Sequence, residues 1–110
     1  MMEKVILDYL TAKLDVPVYI NRPAEPPEQY VLVMRTAGSG KHIYVSTFAL
    51  QSIAPTLYQA VCLDDMVREA MDMSTELPEI SSVRLTNCYD YTNPATKQPR
   101  YQSIYEVIHY

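Results

Sequence analysis

The chain has 110 residues, a length that buries about two-thirds of its unfolded surface in one core and leaves no room for a second. With 48% hydrophobic residues, 20% charged residues and two glycines, it is a globular sequence and not a collagen, a linker or a disordered tail. Nine Lys and Arg against thirteen Asp and Glu give a net charge of -4, the wrong sign for a general nucleic-acid binder, whose affinity rests on neutralising phosphates.

Glu3 opens a stretch in which Ile6, Leu7, Leu10 and Leu14 share one side while Lys4, Asp8 and Thr11 fall largely on the other. This spacing predicts an amphipathic helix over 3–14. Asp15 and Pro17 close it, and a short strand is expected over 16–20, with the proline at its start where a missing donor matters least. Three prolines within 21–28 and no apolar periodicity mark an exposed, extended loop. Val31, Leu32, Val33 and Met34 then run without a polar interruption, the pattern of a strand covered on both faces. Ala37-Gly38-Ser39-Gly40 reads as a turn, and 43–45 with 47–53 as two short strands or one bent strand pairing back in a hairpin.

Thr56 and Gln59 have the spacing of a capping box and mark a helix start. Ala60, Leu63, Met66, Val67, Ala70 and Met73 are its expected apolar stripe; Asp64, Asp65, Arg68, Glu69 and Asp72 are placed on the opposite, solvated side. Two long strands follow at 83–91 and 101–110, joined by a polar, proline-bounded connection over 92–100. The expected fold is a single α+β domain over 1–110, ordered α-β-β-β-α-β-β, with a largely antiparallel sheet of four to five strands and two helices on one face.

A helix is about 10 Å across and strands lie about 4.8 Å apart, so two helices cover one face of such a sheet and no more. Apolar residues nevertheless occupy both faces: Leu32 and Met34 alternate against Val31 and Val33, Phe48 and Leu50 against Ala49 and Ile53, and Tyr105 and Val107 against Ile104 and Ile108. The surplus predicts self-association, unless the long loops fold over the second face.

Gly38-Ser39-Gly40-Lys41 looks like the end of a phosphate-binding loop but has Arg35 where the first glycine belongs, His42 where a hydroxyl belongs, and a strand in place of the helix. His42 and His109 have no metal-ligand spacing, and no triad, paired acids in a cleft or cofactor loop is visible, so no enzyme, metal or cofactor is expected. Cys62 and Cys88 form neither a metal nor a redox spacing; with no signal peptide in view, a reducing cytoplasm is the expected compartment. No apolar run nears the roughly 20 residues needed to cross a bilayer, so no membrane role is expected. Ten Tyr against one Phe and no Trp suit partly buried cross-strand pairs and protein interfaces equally.

The order of elements carries a resemblance. Its segments are Arg22-Pro23 before the strand over 30–35, Thr36-Ala37-Gly38-Ser39-Gly40, Ala54-Pro55-Thr56 at the second helix, and Asn93-Pro94 through Pro99-Arg100-Tyr101-Gln102. Over nearly the whole chain this resembles the small tail completion or tail terminator proteins of long-tailed bacteriophages and prophages. The resemblance implies a minor tail protein: a subunit of a homo-oligomeric ring, typically a hexamer, that ends tail-tube polymerisation and offers a docking surface to the head connector or stopper. It implies action in the host bacterial cytoplasm during assembly and then in the virion neck, with no catalytic residues and no cofactor. Related sequences often read Asp-Pro where this one has Asn93-Pro94, which removes a charge and keeps the turn chemistry. The other reading is a small cytoplasmic ligand-binding or regulatory domain with the second sheet face as its pocket.

On the ring reading, contacts are expected on projecting loops. The 37–42 turn carries Lys41, and the 92–100 connection carries Lys97 and Arg100. In a heterologous ring these cations meet the acidic side formed by Asp64, Asp65, Glu69 and Asp72 on a neighbour, with Arg100 and Tyr101 as one contact group and Lys41 as another.

Overall fold

The computed structural model describes residues 2–39, 44–92, 94–95 and 97–110. Its elements are α1 (Met2–Lys13), β1 (Val18–Tyr19), β2 (Tyr30–Ser39), β3 (Tyr44–Ile53), α2 (Leu57–Asp72), a 3-10 turn (Ser74–Glu76), β4 (Ile80–Asp90) and β5 (Arg100–His109). The order α-β-β-β-α-β-β stands as expected. All five strands form one sheet in the spatial order β1-β2-β3-β5-β4. It is mixed: β1 runs parallel to β2, and the other three pairings are antiparallel. The α2 segment carries the chain from β3 across to the far edge, and β5 returns by hairpin into the gap between β3 and β4.

Register decides which residues share a face. Val33 opposes Leu50, Phe48 opposes Tyr105, and Ser46 opposes Val107. Alternation puts Val31, Val33, Phe48, Leu50, Tyr105 and Val107 on one side. Ile6 and Leu10 of α1 and Leu63, Val67 and Met71 of α2 join those six in one buried cluster. Both helices therefore lie on one face. Each fully buried aliphatic or Phe side chain there contributes about 1.5–3 kcal/mol. The Tyr9 hydroxyl donates to the Ala70 carbonyl at 2.8 Å, tying α1 to α2.

The opposite face carries Tyr30, Leu32, Met34, Ala49, Ile53, Ile104 and Ile108; the alternation within each strand is as expected, and the register decides which of the alternating sets join. Its apolar surplus is smaller than the sequence suggests. Tyr30, Leu32 and Ile53 are buried in a second cluster with Tyr19 packed on it, beside a depression rimmed by Arg22, Pro26, Pro27, Glu28, Pro55 and Gln98. The proline-rich loop thus seals one end of this face. Farther along, Met34 stays 37% exposed, and Val45, Ile104 and Ile108 are half-buried.

Several boundaries move. The first strand spans two residues because it pairs only with Val31 and Leu32. The expected turn over 37–40 is corrected in part: β2 continues through Gly38 to Ser39, pairing Gly38 with Ser46, after a register shift between Arg35 and Ala37. That bulge lets the strand absorb small residues that read as a turn. The Lys41 and His42 portion lies outside the described residues. The following segment is one strand, and β4 starts at Ile80 rather than Val83.

The N-cap of α2 forms as its spacing predicts. Thr56 is extended, and its hydroxyl accepts from the Gln59 amide at 3.1 Å. Thr56→Ala should cost about 1 kcal/mol, read as a fall of about 4–8 °C in Tm for a domain of this size. Thermal melts with unchanged room-temperature circular dichroism will check it.

Candidate interaction surfaces

The residues singled out from the sequence part company in the fold. Lys41 lies outside the described residues. Lys97 is exposed, with φ of 55°, a left-handed backbone uncommon outside glycine and asparagine. Asp65, Glu69 and Asp72 are exposed on α2, and Asp65 sits 3.9 Å from Arg68.

Asp64 does not join them. It is 1% exposed, so its assignment to the solvated side is corrected. The inward stripe of α2 is Ala60, Leu63, Asp64, Val67, Ala70 and Met71. Met66 and Met73, expected in the core, are exposed instead. The helix is rotated about its axis relative to the simplest apolar stripe, because positions 60, 63, 67 and 70 fit two adjacent stripes and packing on β5 selects the one containing 64 and 71. Both Asp64 carboxylate oxygens are buried without a hydrogen-bond partner, as are the hydroxyls of Ser52, Ser103 and Tyr105. Burial pushes the Asp64 carboxyl above its ordinary value, and Asp65 adds to this. The Ser103 hydroxyl and the Arg68 guanidinium pull it back, Ser103 without reaching hydrogen-bond geometry. Burial likewise pushes the Tyr105 hydroxyl far up.

Arg100 and Tyr101 do not form one contact group. Tyr101 opposes Ser52 on β3 and Asp90 on β4, on the helix-covered face. There its hydroxyl is raised chiefly by a hydrogen bond with Cys88. Arg100 opposes Ile53 and therefore belongs to the helix-free face. Its backbone is pinned at the mouth of the hairpin: Tyr91 N donates to the Arg100 carbonyl at 2.8 Å, and Arg100 N to Thr92 Oγ1 at 3.3 Å. Thr92 is itself held by Asp90, whose carboxyl is lowered by these bonds.

The feature missed in the sequence is a polar relay across β3, β5 and β4 on this face, in the row next to Arg100. Arg100 Nη1 donates to Gln51 Oε1 at 3.0 Å. Gln51 Nε2 donates to Gln102 Oε1 at 2.7 Å, and Gln102 Nε2 to the Tyr89 hydroxyl at 2.6 Å. Gln51 opposes Gln102, and Gln102 opposes Tyr89, so the ladder register itself fixes the chain of bonds. Two glutamines interrupting apolar strands were the available signal. Beside Arg100 lies an open depression of about 440 Å³ lined by Asp90, Tyr91, Thr92 and Pro94.

Among the described residues, no cluster of three His, Cys, Asp or Glu is placed to hold a metal ion, and no helix is long and apolar enough to cross a membrane. Cys62 is exposed and Cys88 half-buried, both as free thiols. No protein-family model matches the chain, and no curated protein matches it.

The raised Asp64 carboxyl has a defined consequence. Its folded form favours the proton, so the stability tied to the neutral carboxyl is fully present below the ordinary value of 3.8 and is lost as pH rises through the raised folded value. Asp64→Asn removes the charge at similar volume. The variant should gain about 1 kcal/mol at neutral pH, and the gain should vanish in acid below that ordinary value. Urea melts of both proteins across this range measure the difference.

Proposed function

We propose that the chain is a structural assembly subunit of a long-tailed phage or prophage, working as a tail terminator. It forms a ring, of the hexameric kind the resemblance implies, on the end of the tail tube. The ring halts tube growth and presents a surface to the head connector or stopper. It acts in the host cytoplasm during assembly and stays in the virion neck.

The observation that carries this reading is the helix-free sheet face. Met34, Val45, Ile104 and Ile108 are left partly exposed there, on strands held rigidly by the β3–β5 and β2–β3 ladders. Apolar area of this kind is worth about 25 cal/mol per Å² once covered, and a second chain is the natural cover for a face that the chain's own helices cannot reach. The role asks for protein contacts alone, which suits an acidic surface and a sheet presenting residues from β2, β3 and β5 together.

Purified tail-tube subunits polymerising in vitro give the test. Added at substoichiometric amounts, the chain should stop elongation and appear as a ring at one tube end by negative-stain microscopy. Tube lengths that do not change over the whole range of added chain would sink the terminator role.

A further inference from the structure

We infer that the outer side of α2 in one subunit seats on the helix-free sheet face of a second copy, with a carboxylate of the Asp65, Glu69, Asp72 stripe received by the Arg100 guanidinium. The inference rests on the ring reading and names the contact that builds the ring.

Arg100 is a half-buried cation that shares its depression with Asp90, an acid already engaged by Thr92. Among the described residues no Asp or Glu forms an ion pair with it. One terminal nitrogen is spent on Gln51, and Nε is buried without a partner. The relay through Gln51, Gln102 and Tyr89 is made of neutral groups, so it orients the guanidinium without neutralising it. A guanidinium cannot shed its charge, and its planar fork matches a carboxylate in two parallel bonds. The depression beside it, walled by Asp90, Tyr91, Thr92 and Pro94, leaves room for that carboxylate to approach, with the Asp90 carboxylate turned to Thr92.

The complement exists on the same chain but on its other side. Asp65, Glu69 and Asp72 recur at spacings of four and three residues, which places them on one stripe of α2. They repel one another, and among the described residues only Asp65 has a cation near it, Arg68 at 3.9 Å. Tyr58, on the same outer side one turn and more toward the N-terminus, is 79% exposed.

Position decides the symmetry. Leu63, Val67 and Met71 fasten α2 to the covered face, while Arg100 faces away from it beside Ile53. The sheet stands between the acid stripe and Arg100, so one chain cannot join them. Two copies laid face to face on the helix-free side would set Arg100 against Arg100. Only a heterologous contact, helix of one copy on open face of the next, pairs the charges and covers Met34, Ile104 and Ile108, and repeating it generates a ring or a filament.

The test uses light-scattering mass with circular dichroism as a control for folding. The wild-type chain should run as a multiple of 12.6 kDa. Arg100→Gln should run as a single chain, as should the triple variant Asp65→Asn, Glu69→Gln, Asp72→Asn, whose changes are all on the exposed surface. Mixed in equal amounts, the two variants retain one good socket and one good stripe between them, so the mixture should stop at a heterodimer. Arg100→Lys, which keeps the charge and loses the fork, should assemble more weakly than wild type. Wild-type mass in either neutralised variant, or homodimers of both, overturns the inference and leaves tube capping to judge the ring reading. A wild-type chain that is monomeric at its highest soluble concentration also overturns it. Normal assembly without tube capping would instead strike the terminator role and leave this contact standing.

Discussion

Two helices cannot cover two faces of one sheet, and most of this molecule follows from that limit. Five strands spaced about 4.8 Å apart make a surface roughly two helix diameters wide. Phe48 and Tyr105, paired at the centre of the β3–β5 ladder, draw α1 and α2 to the same side. The other side has to be finished by different means. At the β1 end, the proline-rich loop gathers beside Tyr30, Leu32 and Ile53. In the same row as Leu32, the amide pair of Gln51 and Gln102 takes the place of a hydrophobic layer. Beyond it, Met34, Ile104 and Ile108 have only water or another molecule to meet.

Two ionisable groups are drawn into this frame, and their chemistry dictates opposite solutions. Asp64 sits on the inward side of α2 near Ser103 and Tyr105 with no bonded donor. A carboxyl can answer burial by keeping its proton, and its raised pKa reflects that. Arg100 has no such escape, because its guanidinium stays charged at any physiological pH. It is placed where an amide oxygen holds one terminal nitrogen while Nε is buried without a partner. The covered face therefore holds an acid whose charged form burial disfavours, and the open face keeps a charge in a fixed direction. That asymmetry gives the chain two unlike surfaces.

The element order, the capping box and the alternation of apolar residues within each strand were all legible in the sequence, because each rests on a local rule of spacing. Alternation separated Val31 and Val33 from Leu32 and Met34, and Phe48 and Leu50 from Ala49 and Ile53, but only the register joined the first pair of one strand to that of the other. What spacing could not supply was the rotation of α2. Ala60, Leu63, Val67 and Ala70 suit a stripe flanked by Met66 and Met73 as well as one flanked by Asp64 and Met71, and hydrophobicity alone favours the methionines. The choice is made by packing on β5, a strand that begins at Arg100, well after the helix ends at Asp72. The candidate contacts were harder still. Neighbours such as Arg100 and Tyr101 look like one group in a sequence, yet a strand sends them to opposite faces. The Gln51–Gln102–Tyr89 relay spans three strands and exists only once their register is set.

Sheets also associate by their edges, and here the edges are poorly suited to it. The two residues of β1 cover the start of β2, and β2 shifts register between Arg35 and Ala37 soon after. Arg35 is drawn toward Glu3 of α1 at 3.5 Å, setting a charged pair along that margin. On the far side β4 is long, but its ladder shifts twice, between Ile80 and Ser82 and between Leu85 and Asn87. Arg84, reaching Glu106 at 3.4 Å, stands between those shifts. Bulges and charges of this kind interrupt the even row of donors and acceptors that an added strand needs, and they are the usual guard against uncontrolled pairing. With both edges interrupted in this way, the broad apolar surface left uncovered is the helix-free face. Packing of a helix on such a face can close on itself, whereas edge pairing on a flat sheet need not end.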